Sequence, residues 1–202
     1  AASDVYKRQW EFRNSLSARE ISGKSLLIIG LGRIGRNLAR MAAGFDIRIS
    51  AYDPYMQDAP PAGVAMVDDL PKALAAADLI SLHVPRTDTP LIGAAEIALM
   101  KPTAIIVNTA RGGTIDEAAL AIALKARRVF GAGLDVFEDE PLTIANRLTS
   151  SGQAILTPHS ASMTMECAER MAIAAAKNIV DFMSGRLDPT LVVNAGPINF
   201  RQ

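Results

Sequence analysis

Residues 25–35 read Ser25-Leu26-Leu27-Ile28-Ile29-Gly30-Leu31-Gly32-Arg33-Ile34-Gly35, and this stretch decides the fold. The apolar run carries no polar residue at alternate positions, so it reads as a strand covered on both faces, the mark of a parallel sheet. Three glycines follow it at G-x-G-x-x-G spacing, and residues 34–43 then carry apolar side chains at helical intervals. Gly30 permits a tight turn, Gly32 lets the backbone come close to a pyrophosphate, and Gly35 allows the helix to pack tightly on the strand. The helix start, at Arg33 and Ile34, offers free N–H groups and the positive end of the helix dipole to phosphates. A glycine pattern by itself is weak, but its place between a strand and a helix makes it a dinucleotide fingerprint.

Outward from this stretch the same alternation repeats. Apolar runs at residues 47–52, 79–84, 104–108, 131–136 and 154–156 are separated by helical patterns at residues 70–77, 94–100 and 117–125. A long helical pattern covers residues 163–183. Strands alternating with helices through short connections give right-handed crossovers and a doubly wound α/β sheet of the Rossmann type. The Pro-rich residues 53–63 read as a turn region. The last helix is expected to pack in the interior, with Cys167 as a small core residue and Gly185 at its C-terminal cap.

Asp53 ends the second apolar run, 18 residues beyond Gly35. A carboxylate there can accept hydrogen bonds from both hydroxyls of an adenosine ribose and would repel a 2′-phosphate, which favours NAD over NADP. Its blander role is an Asx turn before Pro54.

Three later segments fall at the C-terminal ends of strands, where open α/β sheets bind ligands. They are Asn108-Thr109-Ala110-Arg111-Gly112-Gly113, then Leu134-Asp135-Val136-Phe137-Glu138-Asp139-Glu140-Pro141, then Thr157-Pro158-His159-Ser160-Ala161-Ser162. One guanidinium, several carboxylates and one imidazole therefore meet on one sheet edge. That set suits a 2-oxo acid. A guanidinium fork takes up its carboxylate and carbonyl oxygens. An imidazole exchanges a proton at that oxygen near neutral pH, and a carboxylate beside the ring orients it. His83 is the other histidine and is expected to position a strand end near the cofactor rather than to act in chemistry.

In this order the motifs GLGRIG, YDP, LHVP, NTARGG, LDVFEDEP and TPH resemble the D-isomer-specific 2-hydroxyacid dehydrogenases. The resemblance runs from Trp10 to Asn194. It implies NAD as cofactor and hydride exchange between nicotinamide and a D-2-hydroxy or 2-oxo acid, phosphoglycerate-like or hydroxypyruvate-like. It implies Arg111 as substrate clamp, Glu140 as partner of the histidine, and His159 as acid/base. Asp135 would face the nicotinamide carboxamide, with Val84, Thr109 and Ala110 lining the cofactor. Many relatives carry Gly where this chain has Ala161, a mild departure. A homodimer through the NAD domain is also implied. A second reading is a non-enzymatic NAD sensor like the C-terminal-binding corepressors, which share the fold and the three residues. Formate dehydrogenases fit less well, because they carry Gln in place of Glu140.

Residues 1–9 have no hydrophobic period and resemble a translated transposase adapter, so the expectation is a scar ahead of Trp10. Residues 10–185 would form the NAD domain, Trp10 and Arg13 matching its entry. Residues 186–202 would be the tail of a substrate lobe that is otherwise missing, so the fragment by itself is expected to bind NAD without turnover. The 202 residues carry 21 basic and 21 acidic side chains, so no charge field points to nucleic acid or membrane. One cysteine excludes an internal disulfide framework, and no apolar run is long enough to span a bilayer. A cytoplasmic protein is expected.

Overall fold

A computed structural model describes residues 19–192. The expectations for residues 1–9, for Trp10 and Arg13, and for the tail from residue 193 onward lie outside the described residues. The chain divides into two compact units, residues 1–159 and 160–202.

The first unit is a seven-stranded sheet in the order β3-β2-β1-β4-β5-β6-β7. Its strands are β1 (Ser25–Ile29), β2 (Arg48–Tyr52), β3 (Val64–Met66), β4 (Leu79–Leu82), β5 (Ile105–Asn108), β6 (Gly131–Leu134) and β7 (Ala154–Leu156). Every neighbouring pair is parallel. The helices between them are α1 (Arg33–Ala42), α2 (Leu70–Ala76), α3 (Ala94–Leu99) and α4 (Glu117–Lys125). Strand β3 is not among the runs read from the sequence. It exists because it pairs with β2, Ile49 lying opposite Val64.

β1 shows why its sequence has no polar alternation. Leu27 and Ile29 belong to one apolar cluster, with Ile80, Ile106, Leu120 and Leu124. Leu26 and Ile28 belong to the other, with Ala39, Ile49 and Val64. Successive side chains point to opposite faces, and helices cover both. Leu27, Ile28 and Ile29 are completely buried. Burying such a side chain stabilises the fold by roughly 1.5–3 kcal/mol.

The strand order reverses between β1 and β4, which places the ligand crevice beyond their C-terminal ends. The ladder ends earlier than the apolar runs do. β4 stops at Leu82 and β6 at Leu134, yet His83 N–H still donates to Ile29 O at 2.7 Å and Asp135 N–H to Asn108 O at 3.0 Å. The residues just past the ladder are thus held by the sheet at its C-terminal edge.

The opposite edge is clamped by a polar cluster that the sequence did not reveal. Asp78, just before β4, accepts from Ser25 N–H at 3.0 Å, Ser25 O–H at 2.9 Å and Lys101 Nζ at 2.8 Å. Burial pushes the Asp78 carboxyl up, but Lys101 and the two Ser25 donors outweigh it and hold the value at about 2, against an ordinary 3.8.

The second unit contains α5 (Met165–Met183), capped by Thr164, whose hydroxyl accepts from Cys167 N–H at 3.1 Å. Gly185 follows at φ 67°, and the Arg186 N–H closes back onto Asp181 O at 2.8 Å, as the expected C-terminal cap requires. The expectation of an interior helix is corrected, because no residue of α5 is buried and Met171, Ile173, Ile179 and Phe182 are exposed. Cys167 is likewise half-buried rather than a core residue. An Ala- and Met-rich helical period states that a face is apolar, not that another element covers it. Among the described residues no helix is long and apolar enough to cross a membrane.

The Asp78 cluster predicts an acid-sensitive fold. A carboxylate held below its ordinary value contributes stability that is complete above about pH 4 and lost as pH falls toward about 2. The loss expected from that shift is roughly 2 kcal/mol. Urea unfolding of Asp78→Asn at neutral pH and near pH 3 tests this. The variant is expected to be less stable at neutral pH, and its deficit to shrink in acid. A deficit independent of pH would contradict the clamp.

Candidate active site

The turn from β1 into α1 is shaped by two contacts that only glycine allows. Gly30 has φ +92°, and a Cβ there would lie 2.5 Å from His83 O. A Cβ on Gly35 would lie 2.2 Å from Gly30 O and 3.2 Å from Ile28 Cγ2, so the helix rests directly on the strand turn. Gly32 differs, since a Cβ there would meet nothing within 4 Å. Its missing side chain clears outside space rather than fitting protein. α2, α4 and α5 are capped by side chains of Asp69, Asp116 and Thr164. α1 starts at Gly32 with no side-chain cap and no acid in its first turn. The N–H groups at Arg33, Ile34 and Gly35 therefore face that space unopposed, which is the arrangement phosphate oxygens require.

Asp53 stands beside this turn. Its Oδ2 accepts from Leu31 N–H at 2.9 Å, and its Oδ1 from Tyr55 N–H at 3.0 Å. The Asx turn and the tie to the glycine loop thus occur together. Each carboxylate oxygen retains accepting capacity. A cavity of about 530 Å³ opens here, lined by Asp53, Met56, Asp58, Met66, Val67 and Asp68. The nearby Arg36 guanidinium is engaged with Leu31 O at 3.2 Å, Ala59 O at 3.2 Å and Asp58 at 4.0 Å.

Arg111 sits on a loop built from beneath by Asn108, a residue whose role the sequence does not disclose. Asn108 is buried. Its Nδ2 donates to Arg111 O and to Thr114 Oγ1, both at 2.9 Å, and its Oδ1 accepts from Ala110 N–H at 3.0 Å. Thr114 O–H donates to Arg111 O at 2.7 Å. Gly112 then runs against the next loop so closely that a Cβ would lie 1.7 Å from Phe137 O. The Arg111 guanidinium touches Ala110 O at 2.6 Å and is otherwise exposed, with no ion pair among the described residues. Thr109 is exposed, and Ala110 and Val84 are half-buried along the same edge.

Asp135 is buried and accepts from Thr157 O–H at 2.5 Å, which ties the end of β6 to the end of β7. Glu140 and His159 meet across the same two loops. His159 Nδ1 donates to Glu140 Oε2 at 2.8 Å, while Glu140 Oε1 accepts from Phe137 N–H at 3.0 Å. The carboxylate accepts at both oxygens, so Nδ1 carries the ring proton and Nε2 points away from Glu140. The hydrogen bond from His159, followed by that from Phe137, holds the Glu140 carboxyl below its ordinary range. His159 adopts φ 51°, a left-handed conformation rare for a residue with a side chain. An apolar cavity of about 540 Å³ adjoins the pair, walled by Phe137, Pro141, Leu142, Leu156 and Pro158.

Sequence reasoning missed two supporting residues besides Asn108. Glu117, at the start of α4, accepts from Glu138 N–H at 2.5 Å and Asn146 Nδ2 at 3.2 Å, and burial pushes its carboxyl up. Gly112 looked like one more loop glycine. His83 is half-buried, its Nε2 3.0 Å from Ser81 Oγ, and burial lowers its pKa so that it is neutral at pH 7. It anchors the Gly30 turn through its backbone.

These contacts make Gly112→Ala and Asn108→Ala structural lesions. The alanine Cβ must displace the Phe137 carbonyl, and loss of the Asn108 amide takes the partner from the part-buried Ala110 N–H at about 1–3 kcal/mol. Thermal unfolding is expected to show a lower Tm for both, whereas Gly32→Ala keeps the wild-type Tm. An unchanged Tm in Gly112→Ala would refute the loop contact.

Residues 1–161 match the family model described as the NAD-binding domain of D-isomer-specific 2-hydroxyacid dehydrogenases. The chain is 41% identical over 196 residues to a D-3-phosphoglycerate dehydrogenase of Methanocaldococcus jannaschii, covering 95% of this chain and 37% of that one. It is 42% identical over 177 residues to a glyoxylate reductase of Korarchaeum cryptofilum, covering 86% of this chain and 53% of that one. The crystal structure of a D-lactate dehydrogenase from Treponema pallidum superposes with a TM-score of 0.82 at 32% identity, covering 93% of this chain and 61% of that one. The chain thus spans between about a third and a little over half of the curated relatives' length. With its parallel sheet, its uncapped glycine turn and this match over most of its length, the chain belongs to the D-isomer-specific 2-hydroxyacid dehydrogenase family and carries that family's NAD-binding domain.

Proposed function

We propose that the protein interconverts a short D-2-hydroxy acid and its 2-oxo acid, with NAD as cofactor. The observation that carries this reading is the Glu140–His159 hydrogen bond at 2.8 Å on the same strand-end edge as the exposed Arg111 guanidinium. When bound, the nicotinamide supplies or accepts the hydride. Gly30, Gly32, Arg33, Ile34 and Gly35 cradle its pyrophosphate at the start of α1. Asp53 takes the ribose hydroxyls, and the acids Asp58 and Asp68 in the same cavity add to its repulsion of a 2′-phosphate. Val84, Thr109, Ala110 and Asp135 line the nicotinamide half.

Arg111 grips the substrate carboxylate and polarises the carbonyl oxygen with a planar fork of donors. His159 Nε2 delivers a proton to that oxygen in reduction and removes it in oxidation. Glu140 stays ionised and holds the ring by Nδ1. The apolar cavity walled by Phe137, Leu142 and Leu156 keeps water from one side of the pair. The named relatives suggest glyoxylate, hydroxypyruvate or 3-phosphoglycerate as substrate class. We further propose a cytoplasmic homodimer joined through this domain.

Activity is tested in the protein at its relatives' full length. His159→Ala is expected to lower kcat by about a hundredfold to ten-thousandfold with little change in NADH affinity. Arg111→Ala should damage both KM and kcat. Near-normal turnover in either variant would overturn the roles of these two residues. The 202-residue chain should bind NADH by calorimetry yet reduce hydroxypyruvate only at background, because positioning of the reactants contributes roughly 7–11 kcal/mol to such reactions. Fluorescence titration should show NADH preferred over NADPH, and Asp53→Ala should narrow or reverse that preference. Equal affinities in the wild type would sink the Asp53 assignment. Light scattering at micromolar concentration tests the dimer, and a monomer at full length would refute it.

A further inference from the structure

The edge of the sheet opposite the active site holds a cavity of about 790 Å³ with a different chemistry. It lies where α4 ends and β7 begins, between Lys125, Arg127, Arg147, Ser150, Ser151 and Gln153. Three cations line it and no acid does. On a chain whose formal net charge is zero, that is a strong local excess. None of the three cations forms an ion pair among the described residues.

The helix dipole explains only part of this. A cation in the last turn of α4 is favourable, which accounts for Lys125. Arg147 comes from a separate 3-10 helix, Arg147–Ser150. On its other side lies the acidic depression of Glu117, Glu138 and Asp139. There the two Glu117 carboxylate oxygens already accept from Glu138 N–H and Asn146 Nδ2. Arg127 is the informative residue. It occupies φ +54°, the left-handed position that ends a helix and that glycine adopts without strain. The chain keeps an arginine there, and strained positions of this kind are retained where the side chain has a task. Its neighbour Arg128 is different, since its guanidinium is tied to the carbonyls of Met100 and Ala98. The Arg127 guanidinium has no such tie among the described residues.

We propose that this cavity binds a small polyanion, a phosphate- or polycarboxylate-bearing metabolite, between Lys125, Arg127 and Arg147. The three cations come from the end of α4, the turn after it and a 3-10 helix and converge on one concavity, and the space exceeds that of a single anion. The Ser150 and Ser151 hydroxyls supply short-range polar contacts. β7 runs from this cavity to Thr157 and His159, so an occupant sits at one end of the strand whose other end carries the imidazole.

The test is amide chemical-shift mapping of the 202-residue chain titrated with pyrophosphate and, separately, with citrate. Saturable shifts are expected at residues 125–127 and 150–153, weakening with added salt. The tighter of the two probes identifies the acid class. Pyrophosphate is also expected to reach the glycine turn, and mapping separates the two sites by residue. Arg127→Gly relieves the backbone strain, so its Tm should equal or exceed the wild-type value while affinity at the cavity falls about tenfold. Arg147→Gln should lose a similar factor, and Arg40→Gln, on α1, should lose nothing. Shifts confined to residues 30–36 would overturn the proposal. So would non-saturating shifts spread over all basic residues, or affinities unchanged in both Arg127→Gly and Arg147→Gln.

Discussion

All seven strands of the first unit run in one direction, and the rest of the structure depends on that constraint. Parallel pairing forces each connection to return over a face of the sheet. Every strand therefore releases its next loop at the same edge. Gly30 after β1, Asp53 after β2, Val84 after β4, Arg111 after β5, Asp135 after β6 and His159 after β7 are separated by long stretches of sequence. They share an edge because their strands share a direction. The cost is a sheet whose central strands are buried on both faces, which Leu26 to Ile29 meet by having no polar side chain at all.

At that edge Arg111 rests on backbone contacts, while His159 is held by the Glu140 side chain. Arg111 is carried by a loop whose carbonyl is bound twice from below, by Asn108 and Thr114, and whose next residue touches the Phe137 carbonyl. Phe137 in turn donates its N–H to Glu140, and Glu140 holds His159. The guanidinium and the imidazole are thereby linked through one continuous chain of contacts, Arg111 to Gly112 to Phe137 to Glu140 to His159. Arg111 and His159 both stay open to solvent, while Asn108, Thr114 and Phe137 beneath them are buried. Such rigid support under exposed chemistry keeps the geometry fixed at small entropic cost when a ligand arrives.

A neutral total charge conceals this distribution. Acids concentrate beside the glycine turn on the upper edge, with Asp53, Asp58 and Asp68 around one cavity. Cations collect at the lower edge around Lys125, Arg127 and Arg147, with no ion pair among the described residues. Composition averages these fields to zero, and only the fold separates them.

What the sequence determined was periodic or local. Double burial of the strands, the G-x-G-x-x-G turn, the Asx-capable Asp53 and the Gly185 cap are all written in neighbouring residues, because each depends on a few consecutive dihedrals. The family motifs added Arg111, Glu140 and His159 as a set. The tertiary structure alone decided what depends on distant segments meeting. It made a strand of Val64–Met66 by giving it β2 as partner, and it turned Asp78 into a clamp by bringing Ser25 and Lys101 to it. It gave Asn108, Gly112 and Glu117 their positioning roles and left the apolar face of α5 exposed where its period suggested burial. A sequence records which side chains can bury or bond, but the partner that makes them do so is a property of the packed chain.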